Sequence, residues 1–472
     1  MSKFFITNAI PYVNAKPHIG HALEFIQSDT VARYHRLLNE EVCLLCGGDE
    51  NALKNVQAAE KINEDIQTFV DKHSDLFKNL AEKLNIQFDI WQKGSSKSHH
   101  LSSQKLWELC LQNGDIYKKP YKGLYCVGCE SFYTLPELND KGECFEHPGK
   151  KLEEVEEENY FFKLSKYQDH LIEIIEKAEY QIVPEFRKNE ILAFLKSGLD
   201  DFSISRSNER AKNWGVPVPN DPTQRIYVWF DALNIYQSGI GFGVDQEKYS
   251  KWWPANLHVI GKGIIRFHAV YWPAILKSAG LDLPKKLFVH EYFTVNGQKM
   301  SKTLGNVYDP VPLIEKYGAD PLRYFCLAKI SPFQDGDFSE SKFIESYNSD
   351  LANGLGNLVA RVAKLCDKHS VVAPTLPSEF NQEVRKLFEE FKFNEALGYI
   401  WREIAEVDKK INQEKPWELT GEKAKHALEE YVKKIQQIGF NLQPFLPQTA
   451  EKILNQFSGK IKASESLFPR IA

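Results

Sequence analysis

The sequence predicts an α/β protein: a parallel-sheet domain broken by an insertion and followed by an all-α helix bundle. Three observations carry this. Strand, helix and strand alternate within about the first fifty residues, the pattern of a βαβ unit and hence of a parallel sheet. From about residue 118 to 225, turn residues, short strands and a cysteine cluster take over, around an acidic run from Glu153 to Glu158. From about residue 346 onward strand signals stop, and long amphipathic stretches read as a bundle.

Taken in order, Phe4 to Ile10 reads as a short buried strand, and Pro11, Asn14 and Pro17 break the chain after it. Leu23, Ile26, Thr30, Tyr34 and Leu37 then recur at helical spacing. Val42 to Leu45 is a second strand, ending at Gly47-Gly48-Asp49. Residues 50–117 read as mostly helical. The sheet pattern returns at Ile226-Tyr227-Val228-Trp229-Phe230 and at Leu257-His258-Val259-Ile260. The boundaries expected from these shifts are 1–117, 118–225, 226–290, 291–345 and 346–472.

Hydrophobic residues make up 43% and charged residues 26% of 472, an ordinary globular composition with room for several cores. No apolar run approaches the ~20 residues of a membrane span. The apolar stretch after Met1 is too short for a signal peptide, so a cytoplasmic protein with no membrane association is expected. The net charge of −5 means that any nucleic-acid contact needs local patches. Lys118, Lys119 and Lys122 offer one, and Lys409, Lys410 and Lys415 another; each cluster reads equally well as solvated lysines. The eight cysteines do not form a disulfide framework in such a chain.

Two motifs carry phosphate chemistry. His18-Ile19-Gly20-His21 sits where a strand and loop hand over to a helix, whose first N–H groups and dipole suit phosphate. Gly20 permits close approach of a ligand, and the two imidazoles, three residues apart, can donate to a pentavalent phosphorus. As a bare tetrapeptide, such a pair is more often structural. Lys299-Met300-Ser301-Lys302-Thr303 follows the turn signal Asn296-Gly297, and its lysines can clamp departing pyrophosphate. Alone, it reads as an exposed basic turn.

Cys126-Val127-Gly128-Cys129 is followed, after fourteen residues, by Cys144-Phe145-Glu146-His147. Three thiolates and an imidazole at this spacing make a closed tetrahedral Zn²⁺ site, structural rather than catalytic. Cys43 and Cys46, on opposite faces of a strand, read as core thiols.

Together the two phosphate motifs resemble the class I aminoacyl-tRNA synthetases. The resemblance extends along essentially the whole chain to the methionyl-tRNA synthetases. It is carried by Ile10-Pro11-Tyr12-Val13-Asn14, Tyr227-Val228-Trp229-Phe230-Asp231-Ala232, Gly261-Lys262 with His268 and Trp272, Gly356-Asn357-Leu358 and Lys415-Pro416-Trp417. It implies a Rossmann-like catalytic domain that uses ATP with Mg²⁺ to activate L-methionine and load it onto tRNA(Met). His18, His21, Lys299 and Lys302 would be catalytic, with Gly20 and Gly261 also at the ATP. Ile10, Tyr12, Asp49, Trp229, Ala232, Tyr236, Ile264 and His268 would bind methionine, Asp49 through its α-amino group. An apolar, aromatic wall is also what a thioether requires.

The resemblance further implies one structural zinc on Cys126, Cys129, Cys144 and His147. It implies an anticodon-binding bundle using Asn357, Arg361 and Trp417, and a monomer. An insertion of about a hundred residues leaves little room for the editing domain of the leucine, isoleucine and valine enzymes. The chain departs from the family at Gly263, where an Asp usually contacts ribose, at Asn51-Ala52 in place of His-Gly, and at Thr303 in place of Ser. Another class I specificity, or a non-catalytic tRNA-binding relative suggested by Gly263, are the alternatives.

Overall fold

The computed structural model describes residues 2–126, 131–133, 135, 138–144, 149–300 and 306–471. They form two compact units: residues 1–17, 39–79 and 87–289, and residues 18–38, 80–86 and 290–472.

The first unit is built on a six-stranded sheet of β1 (Lys3–Asn8), β2 (Glu41–Gly48), β3 (Ile90–Lys93), β4 (Gln181–Val183), β5 (Leu257–Gly261) and β6 (Lys286–His290). The order is β3-β2-β1-β5-β6-β4, and the pairs β3–β2, β2–β1, β1–β5 and β6–β4 are parallel. β1, β2 and β5 lie in the middle and run into fully buried residues. This is why residues 4–6, 42–46 and 259–260 are apolar in unbroken runs rather than alternating. Cys43 and Cys46 on β2 are buried.

From β1 the chain steps outward to β2 and β3, and from β5 it steps the other way to β6. The sheet therefore has a switch point between β1 and β5. Crevices at the carboxyl ends of strands at such a point are where open α/β sheets bind ligands.

Two expectations need correction, and a third, the mostly helical stretch 50–117, holds with one strand added. Val228 to Phe230 is not strand: the strand Asp221–Ile226 stops short, and Val228–Leu233 is a buried helix. Short apolar runs do not distinguish the two forms by periodicity. The strand Asp221–Ile226 itself belongs to a small three-stranded antiparallel sheet, not the parallel one. Within 50–117, β3 adds a strand whose Ile-Trp-Gln-Lys sequence is too short to show a pattern. Within 118–225, β4 pairs with β6 at the sheet edge, so that stretch is not wholly an insertion. Its four-stranded sheet, with Ile116–Cys126 hydrogen-bonded antiparallel to Glu153–Phe162, is separate from the parallel sheet.

The second unit holds α1 (Ile19–Leu37) and a small sheet of β7 (Phe293–Val295), β8 (Gln298–Lys299) and β9 (Gly336–Phe338). It also holds the helical region, including α2 (Asn357–Lys368), α3 (Phe393–Glu414) and α4 (Gly421–Leu442). A fully buried Arg323 ties α1 in. It meets Asp29 of α1 at 2.8 Å and donates to the carbonyls of Phe445 at 2.8 Å and Pro444 at 3.0 Å. Asp29 also holds Arg33 at 2.7 Å. Nearby, burial raises the Asp320 carboxyl, although Asp320 accepts the Thr449 N–H at 2.6 Å.

Removing one partner of a buried pair leaves an uncompensated charge. Arg323→Met is therefore expected to destabilise the second unit by about 3–5 kcal/mol. Denaturant unfolding followed in both variants checks this; an unchanged midpoint would contradict it.

Candidate active site

The first turn of α1 is capped by its own histidines. The Gly20 N–H donates to His18 Nδ1 at 3.1 Å, and the His18 N–H donates to His21 Nδ1, also at 3.1 Å. This is a capping box with imidazoles in place of hydroxyl and carboxylate. A ring nitrogen that accepts leaves the proton on the other, so both histidines carry Nε2–H. The rings lie 3.8 Å apart and 30° from parallel. A Cβ on Gly20 would sit 3.0 Å from His18 Cε1 and 3.3 Å from Met300 Cε, so a side chain there would press on both.

That last contact joins two motifs about 280 residues apart. Asn296 and Gly297 take positive φ (51° and 75°) and turn β7 into β8, as the Asn-Gly signal requires. β8 ends at Lys299, and Met300 reaches Gly20. Beyond the loop, the Tyr308 carbonyl accepts the Ile19 N–H at 3.0 Å. Both described shoulders of the lysine loop thus meet the first turn of α1. Ser301, Lys302, Thr303 and the Lys299 side chain lie outside the described residues. Tyr308 was not legible beforehand, because a backbone carbonyl has no residue signature. Glu24 of α1, which meets His290 Nε2 at 3.0 Å, was missed too.

In the first unit, the expected methionine residues gather at the carboxyl ends of β1, β2 and β5. Ile10 and Tyr12 follow β1, Asp49 follows β2, and an isolated bridge pairs Tyr12 with Asp49. Gly261 ends β5, and Gly263 and Ile264 lie in the tight turn after it. Trp229 stacks on Phe267 with centroids 3.7 Å apart and planes 4° from parallel, and its ring stands edge-on to Tyr12 at 6.2 Å. Ala232 and Tyr236 are buried.

His268 Nδ1 faces the Ile264 carbonyl at 3.0 Å, so it carries the proton; Nε2 then accepts from the Tyr236 hydroxyl at 2.7 Å. Burial lowers the His268 pKa to about 4, so the ring is neutral. His258 beside it is lowered well below the usual value by burial and by His268. The side of the wall at Tyr236 and His268 is thus uncharged and carries an oriented hydroxyl–imidazole pair, whereas Asp49 and the Lys54 ammonium, 2.8 Å from the centre of the Tyr12 ring, bring charge beside Tyr12.

Asn51, one of the departures, spans Asp231 Oδ2 at 2.7 Å and the Gly94 carbonyl at 2.8 Å through one amide nitrogen. Asp231 also accepts from His99 at 2.7 Å and Ser103 at 2.8 Å. Burial pushes its carboxyl up, but His99 and these bonds outweigh it and hold it below the ordinary range. His99 and Ser103 were not singled out from the sequence, having no motif of their own.

Of the cysteine knuckle, Cys126 and Cys144 are buried, while Cys129 and His147 lie outside the described residues. Among the described residues no group of three metal-binding side chains occurs. In the helical region, Asn357 and Arg361 lie one turn apart on α2, and Asn357 is exposed. The Arg361 guanidinium lies 5.0 Å from the centre of the Trp417 ring and is held by Asp408 at 3.1 Å and Asn412 at 2.7 Å. Trp417, in the short turn Pro416–Glu418, is 39% exposed.

Residues 4–363 match the family profile of tRNA synthetases class I (M). The chain belongs to that family. Over 98% of its length it is 41% identical to a methionine–tRNA ligase of Thermotoga maritima, of which the match covers 76%. It is 41% identical to the methionine–tRNA ligase of Brucella suis over 96% of this chain and 91% of the relative. A crystal structure of Mycobacterium tuberculosis methionyl-tRNA synthetase bound by methionyl-adenylate superposes with a TM-score of 0.92, at 37% identity, over 99% of this chain and 100% of that one. Among the described residues no helix is long and apolar enough to cross a membrane.

The depressed His268 has a measurable consequence. An unfolded chain takes up this proton near pH ~6.5, the folded one only near pH 4, so stability falls as pH drops through that window. Urea unfolding at pH 7.5 and pH 5 is expected to show a loss in the wild type that His268→Gln reduces. An equal loss in both would remove His268 from the effect.

Proposed function

We propose that this chain is a methionine–tRNA ligase. It activates L-methionine with ATP to methionyl-adenylate and transfers the methionyl group to tRNA(Met), for protein synthesis and initiation. The observation that carries this is the meeting of the lysine loop's shoulders with the histidine turn of α1, in a chain 41% identical to methionine–tRNA ligases.

In the first step a methionine carboxylate oxygen attacks the α-phosphorus, and the bond to pyrophosphate breaks. The Nε2–H groups of His18 and His21 donate to the phosphate oxygens as charge builds. Lys299 and Lys302 hold the departing pyrophosphate, and Gly20 and Gly261 let the backbone approach the nucleotide. Mg²⁺, bound with ATP, neutralises phosphate charge. In the second step a hydroxyl of the terminal tRNA ribose attacks the adenylate carbonyl, and AMP leaves. No side-chain nucleophile is needed; positioning supplies the rate.

Methionine specificity follows from Ile10, Tyr12, Trp229, Ala232, Tyr236, Ile264 and His268, with Asp49 pairing the α-amino group. A neutral His268 suits an uncharged thioether. Asn357, Arg361 and Trp417 read the anticodon: Arg361 is pre-aimed by Asp408, and the half-exposed Trp417 offers a face for a base. The enzyme works as a cytoplasmic monomer.

The donor set Cys126, Cys129, Cys144 and His147 suits one structural Zn²⁺. Two of its thiols are buried at 2% and 1% exposure, as a closed site needs. Cys126 is at the end of a strand and Cys144 follows a turn, an arrangement a metal would hold together. One zinc per chain by elemental analysis is expected, and Cys144→Ser should lose it; a metal-free wild type would remove the site.

Methionine-dependent ATP–pyrophosphate exchange tests the function. Exchange with methionine, and not with leucine or cysteine, is expected, and Lys302→Ala should lower it by about a hundredfold or more. Strong exchange with leucine would overturn the specificity. No exchange with any amino acid would leave a tRNA-binding protein.

A further inference from the structure

Asp337 sits on β9, beside the hairpin that leads into the lysine loop. β7 pairs with β9 in parallel, which sets Thr294 opposite Asp337. One carboxylate oxygen, Oδ1, accepts the Gly297 N–H at 2.6 Å and the Thr294 hydroxyl at 2.8 Å. The other, Oδ2, meets Lys342 Nζ at 2.7 Å. A single side chain thus holds both the strand that enters the hairpin and the turn at its tip. The Asn296 N–H, donating to the Phe338 carbonyl at 3.0 Å, adds a backbone tie at the same place. Burial alone would raise the carboxyl, but Lys342, the Gly297 N–H and Thr294 outweigh it and keep it ionised.

We propose that Asp337 is a positioning residue for the lysine loop: it fixes the Asn296-Gly297 turn and so sets where β8 delivers the backbone of Lys299 and Met300. Asp337 touches no substrate in this scheme; Lys342, from the helix Glu340–Ser346, keeps its carboxylate charged and aimed. The inference rests on the ligase reading for its activity readout, because a clamp misplaced by an ångström loses much of its transition-state contact.

The test uses the full chain with Asp337→Ala and Asp337→Asn. Asp337→Ala should lower kcat of methionine-dependent exchange by about tenfold or more while KM for methionine changes less than about twofold. Asp337→Asn keeps an oxygen for Gly297 and Thr294, and should retain kcat within about threefold. Tryptic cleavage after Lys299 and Lys302 should quicken in Asp337→Ala and not in Asp337→Asn. Should Asp337→Ala fail to fold, Thr294→Val, which removes one of the three donors, should shift kcat and cleavage the same way to a smaller degree. Wild-type kcat and cleavage in the folded alanine variant would overturn the proposal, as would an asparagine variant as damaged as the alanine one. If the wild type shows no exchange at all, the ligase reading fails, and the tryptic comparison still decides the hairpin claim.

Discussion

The first turn of α1 constrains everything around it. Its two imidazoles spend their Nδ1 atoms on the helix's own N–H groups, and this fixes the protons on Nε2. A helix start that would ordinarily need Ser or Asp as its cap is closed by the groups that would also serve catalysis. The arrangement leaves little room for a side chain at the second helical residue, where Gly20 lies against both His18 and Met300. The loop that brings the lysines is then registered to this turn twice, by Met300 before it and by the Tyr308 carbonyl after it.

A turn that is to hold its geometry under triphosphate charge, as the proposed reaction requires, needs a rigid helix behind it. Asp29 and Arg323, with no exposed surface, supply that anchor, and Arg323 is satisfied further by the Phe445 and Pro444 carbonyls. Such a pair adds little net stability over an apolar replacement, but losing one partner leaves the other charge buried and uncompensated. The wall proposed for methionine uses the opposite logic. His268 and His258 are held neutral by burial, so their side of the pocket offers shape and an oriented hydroxyl rather than charge.

Much of this was legible in the sequence. The βαβ start, the Asn296-Gly297 turn and the helical second part follow from local patterns, while Ile10, Tyr12, Asp49 and Trp229 were singled out by the family resemblance alone. What escaped did so for physical reasons. β3 and β4 are too short to carry a period, and Val228–Phe230 is apolar enough to suit a buried strand or a buried helix. Tyr308 acts through its backbone. Asp231 gathers His99, Ser103 and Asn51 from distant segments, and no one of them announces itself. The histidine pair was read as phosphate donors, but its second task as the helix cap needed coordinates.

The central claim is that the histidine turn and the lysine loop act on one triphosphate. A double-mutant cycle of His21→Gln and Lys302→Ala, read as the single-turnover rate of methionyl-adenylate formation, tests it most directly. A shared grip predicts a coupling of about 1 kcal/mol or more between the two losses. Losses that add to within about 0.5 kcal/mol would show two groups acting apart, and would contradict it.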